Sequence, residues 1–153
     1  AELRKFWNGP IALSGSIANG RAILAAQALG ADLAYMGTRF IATKEANAPE
    51  AYKAALVEAA SGGDIVYTNL FTGVHGNYLK SSIEAAGLDP NDLPTSDKTR
   101  MNFVSAGNMK QKAWRDIWGA GQGVGQIADA PTVEELVSRL EAEYHAAKQA
   151  LAA

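Results

Sequence analysis

No cysteine occurs among the 153 residues. That excludes disulfide scaffolds, thiolate zinc sites, iron–sulfur clusters and cysteine nucleophiles. An excess of either charge is also missing: 14 Lys and Arg stand against 16 Asp and Glu, a net charge of −2. This balance gives no electrostatic case for nucleic acid or an anionic membrane as a partner. No apolar run approaches the roughly 20 residues of a membrane-spanning helix. The first residues lack the basic-then-apolar shape of a secretory leader. A cytoplasmic protein is the expectation. Histidine is scarce, with only His75 and His145, and no His, Asp and Glu group has metal-ligand spacing. Glu58 and Asp64 are isolated carboxylates, so no pair is spaced for acid–base work.

What is present reads as one α/β domain over residues 1–153. Hydrophobic residues make up 48%, enough for a real core at this length. Pro10–Ile17, PIALSGSI, is a short apolar run that predicts a strand buried on both faces. Asn19 is placed to cap a helix over Gly20–Leu29, with Gly30 as its stop. Leu33–Met36 predicts a second strand, ending in Gly37–Thr38. Strand, helix and strand with short joints form a βαβ unit with parallel strands. The pattern then repeats: a helix over Glu50–Ala60 behind Pro49, a strand over Asp64–Asn69, the turn FTGVHG, and a helix from Asn77 to Ala86 before Gly87. Residues 88–107 read as an irregular insertion. A short helix over Asn108–Trp118, the Gly-rich loop Gly119–Gly125 and a closing helix over 132–150 complete the chain. Thr132 and Glu135 have the spacing of a capping box. Val133, Leu136, Val137, Leu140, Tyr144 and Ala147 form one apolar face behind it.

In parallel α/β folds ligands sit beyond the carboxyl ends of the strands. Here those ends read SGSIANG and MGTRF. Small residues let a ligand approach the backbone, and their N–H groups together with a helix N-terminus suit a phosphate. Gly15, Ser16, Met36, Gly37 and Thr38 are therefore the candidate phosphate-binding residues, Thr38 adding a hydroxyl. Arg39 either faces the phosphate or forms an ion pair at the strand end. GAGQGVG lacks the G-x-G-x-x-G spacing and the βαβ setting of a dinucleotide loop. His75 reads as an exposed loop residue near the ligand face and His145 as surface. Trp114 and Trp118, four apart, share one helix face and predict packing.

SGSIANGRAILAAQALGADLAYMGTRF, LFTGVHGNYL and WGAGQGVGQI, in that order, resemble the nitronate monooxygenase family (also called 2-nitropropane dioxygenase). The resemblance runs over nearly the whole chain from Pro10 on, apart from the irregular stretch. It implies an FMN-binding (β/α)₈ barrel that oxidises alkyl nitronates with O₂. It also implies that Gly15, Ser16, Met36, Gly37 and Thr38 hold the FMN phosphate, and that the loop Gly119–Gly125 borders the flavin, with Gly119 and Gln122 as candidates for the edge of the site. Ser16 stands where the family usually has glycine, so its backbone must adopt a conformation open to a residue with a Cβ. A complete barrel takes about 250 residues; this chain is expected to supply strands six to eight. The remaining strands, the ring contacts and the family's catalytic histidine would come from a missing N-terminal segment or a partner chain. Neither His75 nor His145 matches that histidine, and no catalytic residue is assigned. The first two motifs are shared with flavin-dependent enoyl-acyl-carrier-protein reductases, which are the alternative reading. A non-catalytic phosphate-binding module is the rival from another class. Unpaired strand edges predict association with a partner or a second copy.

Overall fold

A computed structural model describes residues 2–95 and 115–152. The first unit follows its local signals. Strand β1 (Ala12–Ser14) leads to helix α1 (Gly20–Ala28) and then to β2 (Leu33–Tyr35). The two strands pair in parallel, with Leu13 opposite Ala34. Asn19 caps α1 as expected: its side chain accepts from the Ala22 N–H at 2.8 Å. Gly30 ends the helix at φ +92°, a value that favours glycine. Below the strands, Arg4 donates to the carbonyls of Gly9 and Gly30 and pairs with Asp32. Asp32 also accepts from the Ile11 N–H. That backbone donor, reinforced by Arg4, holds its carboxyl below the ordinary value.

Helix α2 (Thr38–Ile41) follows β2 at once, and α3 (Glu50–Glu58) begins after Pro49. A tight turn at Ser61–Asp64 comes next. The Asp64 carboxylate accepts from the Ser61 N–H there, giving this isolated acid a capping role. Strand β3 (Ile65–Thr68) then departs from the expected repeat. It pairs antiparallel with β4 (Gly76–Leu79) in a hairpin, with Val66 opposite Tyr78. Residues 77–79 are therefore strand, and helix α4 (Lys80–Ala85) starts three residues later than the sequence suggested. The cause is non-local. Besides β3, β4 meets the chain near Gly119, where Leu79 N–H donates to the Trp118 carbonyl and Ala120 N–H to the Asn77 carbonyl.

A second correction concerns β1. Ala12 and Ser14 are exposed, as are Leu33 and Tyr35 beside them on β2, while Leu13 and Ala34 are half-buried. The register puts the exposed residues on one common face. The strand is thus covered on one face only, because no described element lies over the other.

The core has two parts. Leu56, Leu79, Ala120, Val124 and Ile127 pack with Ala42 and Ala55 in one cluster, and Phe71, Ile83 and Ile117 form the other. Fully burying one such Leu or Ile contributes about 2 kcal/mol. Helix α5 (Val133–Ala152) closes the chain against α1. Its capping box is formed: Glu135 N–H donates to Thr132 Oγ1, and Thr132 N–H to the Glu135 carboxylate. Leu136, Leu140 and Ala147 are buried as expected, and Tyr144 is half-buried. Val137, placed on the same face by periodicity, is 48% exposed and only flanks the groove between α5 and β2. The helix expected over Asn108–Trp118 lies mostly outside the described residues, as do Met109, Trp114 and most of the irregular stretch 88–107. Arg115 and Asp116 are helical.

Candidate functional site

The carboxyl ends of β1 and β2 lie side by side, and the Gly-rich loop reaches across to both. After β1 the chain turns through Gly15 at φ +106° and Ser16 at φ +55°. Ser16 is the one non-glycine residue with positive φ among the described residues. This conformation costs an L-residue roughly 1–2 kcal/mol. Open space lies where a side chain at Gly15 would stand, and the same is true of Gly37 after β2. Thr38 opens α2. Neither its N–H nor that of Arg39 has an acceptor among the described residues, the normal state of a helix start.

The loop completes the arrangement. Gly121 N–H donates to Thr38 Oγ1 at 2.8 Å. A Cβ built on Gly123 would lie 3.0 Å from the Ser16 backbone. Three motifs far apart in sequence thus meet. The two loop residues singled out from sequence are not the ones that meet the strand ends. Gly119 bridges to Tyr78, and its carbonyl accepts from the Tyr52 hydroxyl; Gln122 lies against Gly62. Their neighbours Gly121 and Gly123 touch Thr38 and Ser16. The alternation of Ala120, Gly121, Gly123 and Val124 is the signal that could have found them. Ala120 and Val124 are buried in the core, and the glycines between them face the strand ends.

The start of α1 behaves differently from expectation. Two of its first three N–H groups are engaged within the chain: Gly20 N–H donates to the Glu143 carboxylate at 2.8 Å, and Ala22 N–H to Asn19. Asn19 Nδ2 donates in turn to Gln126 Oε1 at 2.6 Å. Arg39 resolves to the ion pair. It is 3% exposed, and it donates to the Asp129 carboxylate at 2.8 Å and the Asp129 carbonyl at 3.0 Å. Arg139 grips the same carboxylate with two hydrogen bonds. The Arg139 bonds first, then Arg39, hold the Asp129 carboxyl below its ordinary value. This network ties α2 to the segment before α5.

A cavity of about 400 Å³ is lined chiefly by Tyr52, Phe71, Tyr78, Ile117 and Trp118 and touches the Gly-rich loop at Gly119. Tyr52 and Trp118 stack at 5.2 Å, so Trp118 packs as expected. Burial raises the Tyr52 hydroxyl above its ordinary value. His75 is exposed and stacks on Tyr67; His145 is exposed on α5. Neither reaches the strand ends through a contact. Among the described residues no group of three or more His, Asp or Glu could hold a metal, and no helix is long and apolar enough to cross a membrane.

Comparison with known proteins places the chain. The profile of the nitronate monooxygenase family matches residues 3–143. A nitronate monooxygenase from Paraburkholderia phytofirmans is 31% identical over 138 residues, covering 88% of this chain and 37% of that protein. A probable nitronate monooxygenase from Staphylococcus haemolyticus is 27% identical over 136 residues, again covering 37% of the relative. The chain therefore spans little more than a third of the length of these curated relatives. Among solved structures it is similar to FabK from Thermotoga maritima, with TM-score 0.73 and 25% identity over 98% of this chain and 49% of that one. It is also similar to the nitroalkane oxidase from Streptomyces ansochromogenes, with TM-score 0.68 and 29% identity over 98% and 43%. The α/β chain thus corresponds to part of each of these structures, and the profile match across nearly its whole length makes it a member of the nitronate monooxygenase family.

Proposed function

We propose that this chain is the phosphate-gripping part of an FMN-dependent oxidoreductase of the nitronate monooxygenase type. One observation carries the reading: two adjacent strand ends and a Gly-rich loop converge, with open space over Gly15 and Gly37. A phosphate fits this cradle. Gly15, Ser16, Met36, Gly37 and Thr38 would hold it through the turn, the first N–H groups of α2 and the Thr38 hydroxyl. The like charge of Glu143 is engaged with Gly20. A flavin bound there supplies electron acceptance from an alkyl nitronate and electron return to O₂, the organic product being a carbonyl compound with release of nitrite. This chain's residues bind and orient the phosphate end. The ring contacts and the catalytic base belong to the rest of a (β/α)₈ barrel, to which this chain would contribute the parallel pair β1 and β2; the antiparallel hairpin of β3 and β4 does not continue that sheet, so the expected strands six to eight reduce to two. The bare face of β1 and β2 supports that division. The remaining strands come from the rest of the protein or from a partner chain, and a cytoplasmic location goes with the reading.

The test is Gly37→Leu in the intact protein, followed by the visible flavin spectrum and nitronate-dependent O₂ uptake. A side chain in the open space above Gly37 abolishes FMN binding and with it the uptake. Full flavin loading of the variant would refute the reading. The likeness to FabK favours a second reading, a flavin-dependent enoyl-acyl-carrier-protein reductase. Oxidation of reduced nicotinamide without nitronate selects it. A colourless wild-type protein that does not take up FMN selects the non-catalytic phosphate-binding module.

A further inference from the structure

Thr38 and Ser16 belong to different strand ends, yet one short stretch of chain controls both. A threonine hydroxyl has one proton and two lone pairs. Gly121 N–H occupies one lone pair of Thr38 Oγ1 at 2.8 Å. The proton must point in another direction, and it meets no acceptor among the described residues. Thr38 begins α2 and makes no bond back to a carbonyl of a preceding turn, the usual fate of a helical threonine. Its hydroxyl is thereby set as a donor. Two residues on, Gly123 lies so close to the Ser16 backbone that a Cβ there would stand 3.0 Å from three of its atoms. Ser16 is held at φ +55° at that contact. The stretch itself is anchored on both sides: Ala120 and Val124 are buried in the core, Val124 completely.

We infer that Gly121 and Gly123 are the positioning residues of the phosphate cradle. Gly121 aims the Thr38 hydroxyl at the anion, and Gly123 braces the strained turn at Ser16. The inference rests on the phosphate reading above and adds to it the element that joins the two strand ends.

The test uses the intact protein and two probes, FMN and riboflavin, which differ by the phosphate. Binding is followed by quenching of flavin fluorescence. Thr38→Val weakens FMN roughly tenfold to a hundredfold, the value of a hydrogen bond to a charged group. It leaves riboflavin within about twofold. Thr38→Ser keeps FMN affinity. Gly121→Ala puts a methyl 3.3 Å from Thr38 Oγ1 and weakens FMN selectively. Its selective effect on FMN disappears in the Thr38→Val background, because no hydroxyl remains there to be misdirected. Equal losses for the two probes, or additive losses in the double variant, overturn the inference. Gly37→Leu separates the levels. If it loses FMN while Thr38→Val and Gly121→Ala leave the FMN-to-riboflavin ratio unchanged, the positioning role alone falls. If it keeps FMN, the phosphate reading falls with it.

Discussion

Gly20 is the point where the first helix and the last helix touch, and substituting it tests that closure directly. A Cβ built there lies 2.3 Å from the Leu140 carbonyl oxygen and 2.3 Å from the Tyr144 nitrogen. Both are backbone atoms of α5, so no rotamer change relieves the clash. Ordinary contact at 3.4 Å requires the helices to separate by about 1 Å. Gly20→Ala therefore combines three effects. Overpacking costs about 1–3 kcal/mol. Separation weakens the Gly20 N–H bond to Glu143, and losing a bond to a charged group costs about 1.5–3 kcal/mol. Alanine's better helix propensity returns up to about 1 kcal/mol. The net expectation is a loss of about 1.5–6 kcal/mol. Urea denaturation followed by far-UV circular dichroism measures it. A Gly20→Ala variant within about 0.5 kcal/mol of wild type, the range of an ordinary surface change, refutes the closeness of α1 and α5.

Asp129→Ala leaves Arg39, itself 3% exposed, without its carboxylate. Because the aspartate side chain is 42% exposed, solvent screens part of the loss, and the expected cost is about 1–3 kcal/mol at neutral pH. The Asp129 carboxyl is held below its ordinary value by Arg139 and then Arg39. Its contribution is thus present above the unfolded-state value and lost as pH falls through the folded one. Comparing urea midpoints of Asp129→Asn and wild type near neutrality and below about pH 3.8 should show a difference that shrinks with acid; a difference independent of pH contradicts the ion pair. At the strained turn, Ser16→Val should cost roughly 1–2 kcal/mol relative to Ser16→Gly, since positive φ penalises a β-branched residue most. Thermal melts of the two variants measure the gap, and equal melting temperatures contradict the φ of +55°.

The features legible in the sequence were those set within a few residues. Asn19, Gly30, Gly87 and the Thr132–Glu135 box act on neighbours in the chain, and each performs its expected role. Strand β4 was misread because Gly76–Leu79 offers only four residues of pattern. Its pairing comes from β3 and from the region of Gly119, some forty residues away. The same distinction divides the candidate site. The strand-end glycines and Thr38 announce themselves by spacing and by family resemblance. Their braces, Gly121 and Gly123, become visible only when residues 83 and 107 positions apart are brought together. Arg39 allowed two readings from sequence because its partner, Asp129, lies 90 residues on. The even burial predicted for β1 failed for a different reason: an apolar run reports that a surface seeks cover, not that the same chain supplies it.

The closure of α5 on α1 has a consequence for synthesis on the ribosome. The Gly20–Glu143 contact spans 123 positions. At about 5–20 residues per second, roughly 6–25 s pass between the emergence of its two halves. Through most of that interval, until Gly123 emerges, the turn at Gly15–Ser16 exists without its brace, and the stripe of α1 that Leu140 later covers faces solvent or a chaperone. The nascent chain therefore carries the candidate phosphate-binding turn early and completes the packing around it late. Arrest of translation before Gly119 should leave a species that displays the strand-end motifs without the loop that joins them, and that is the species a holdase would be expected to retain.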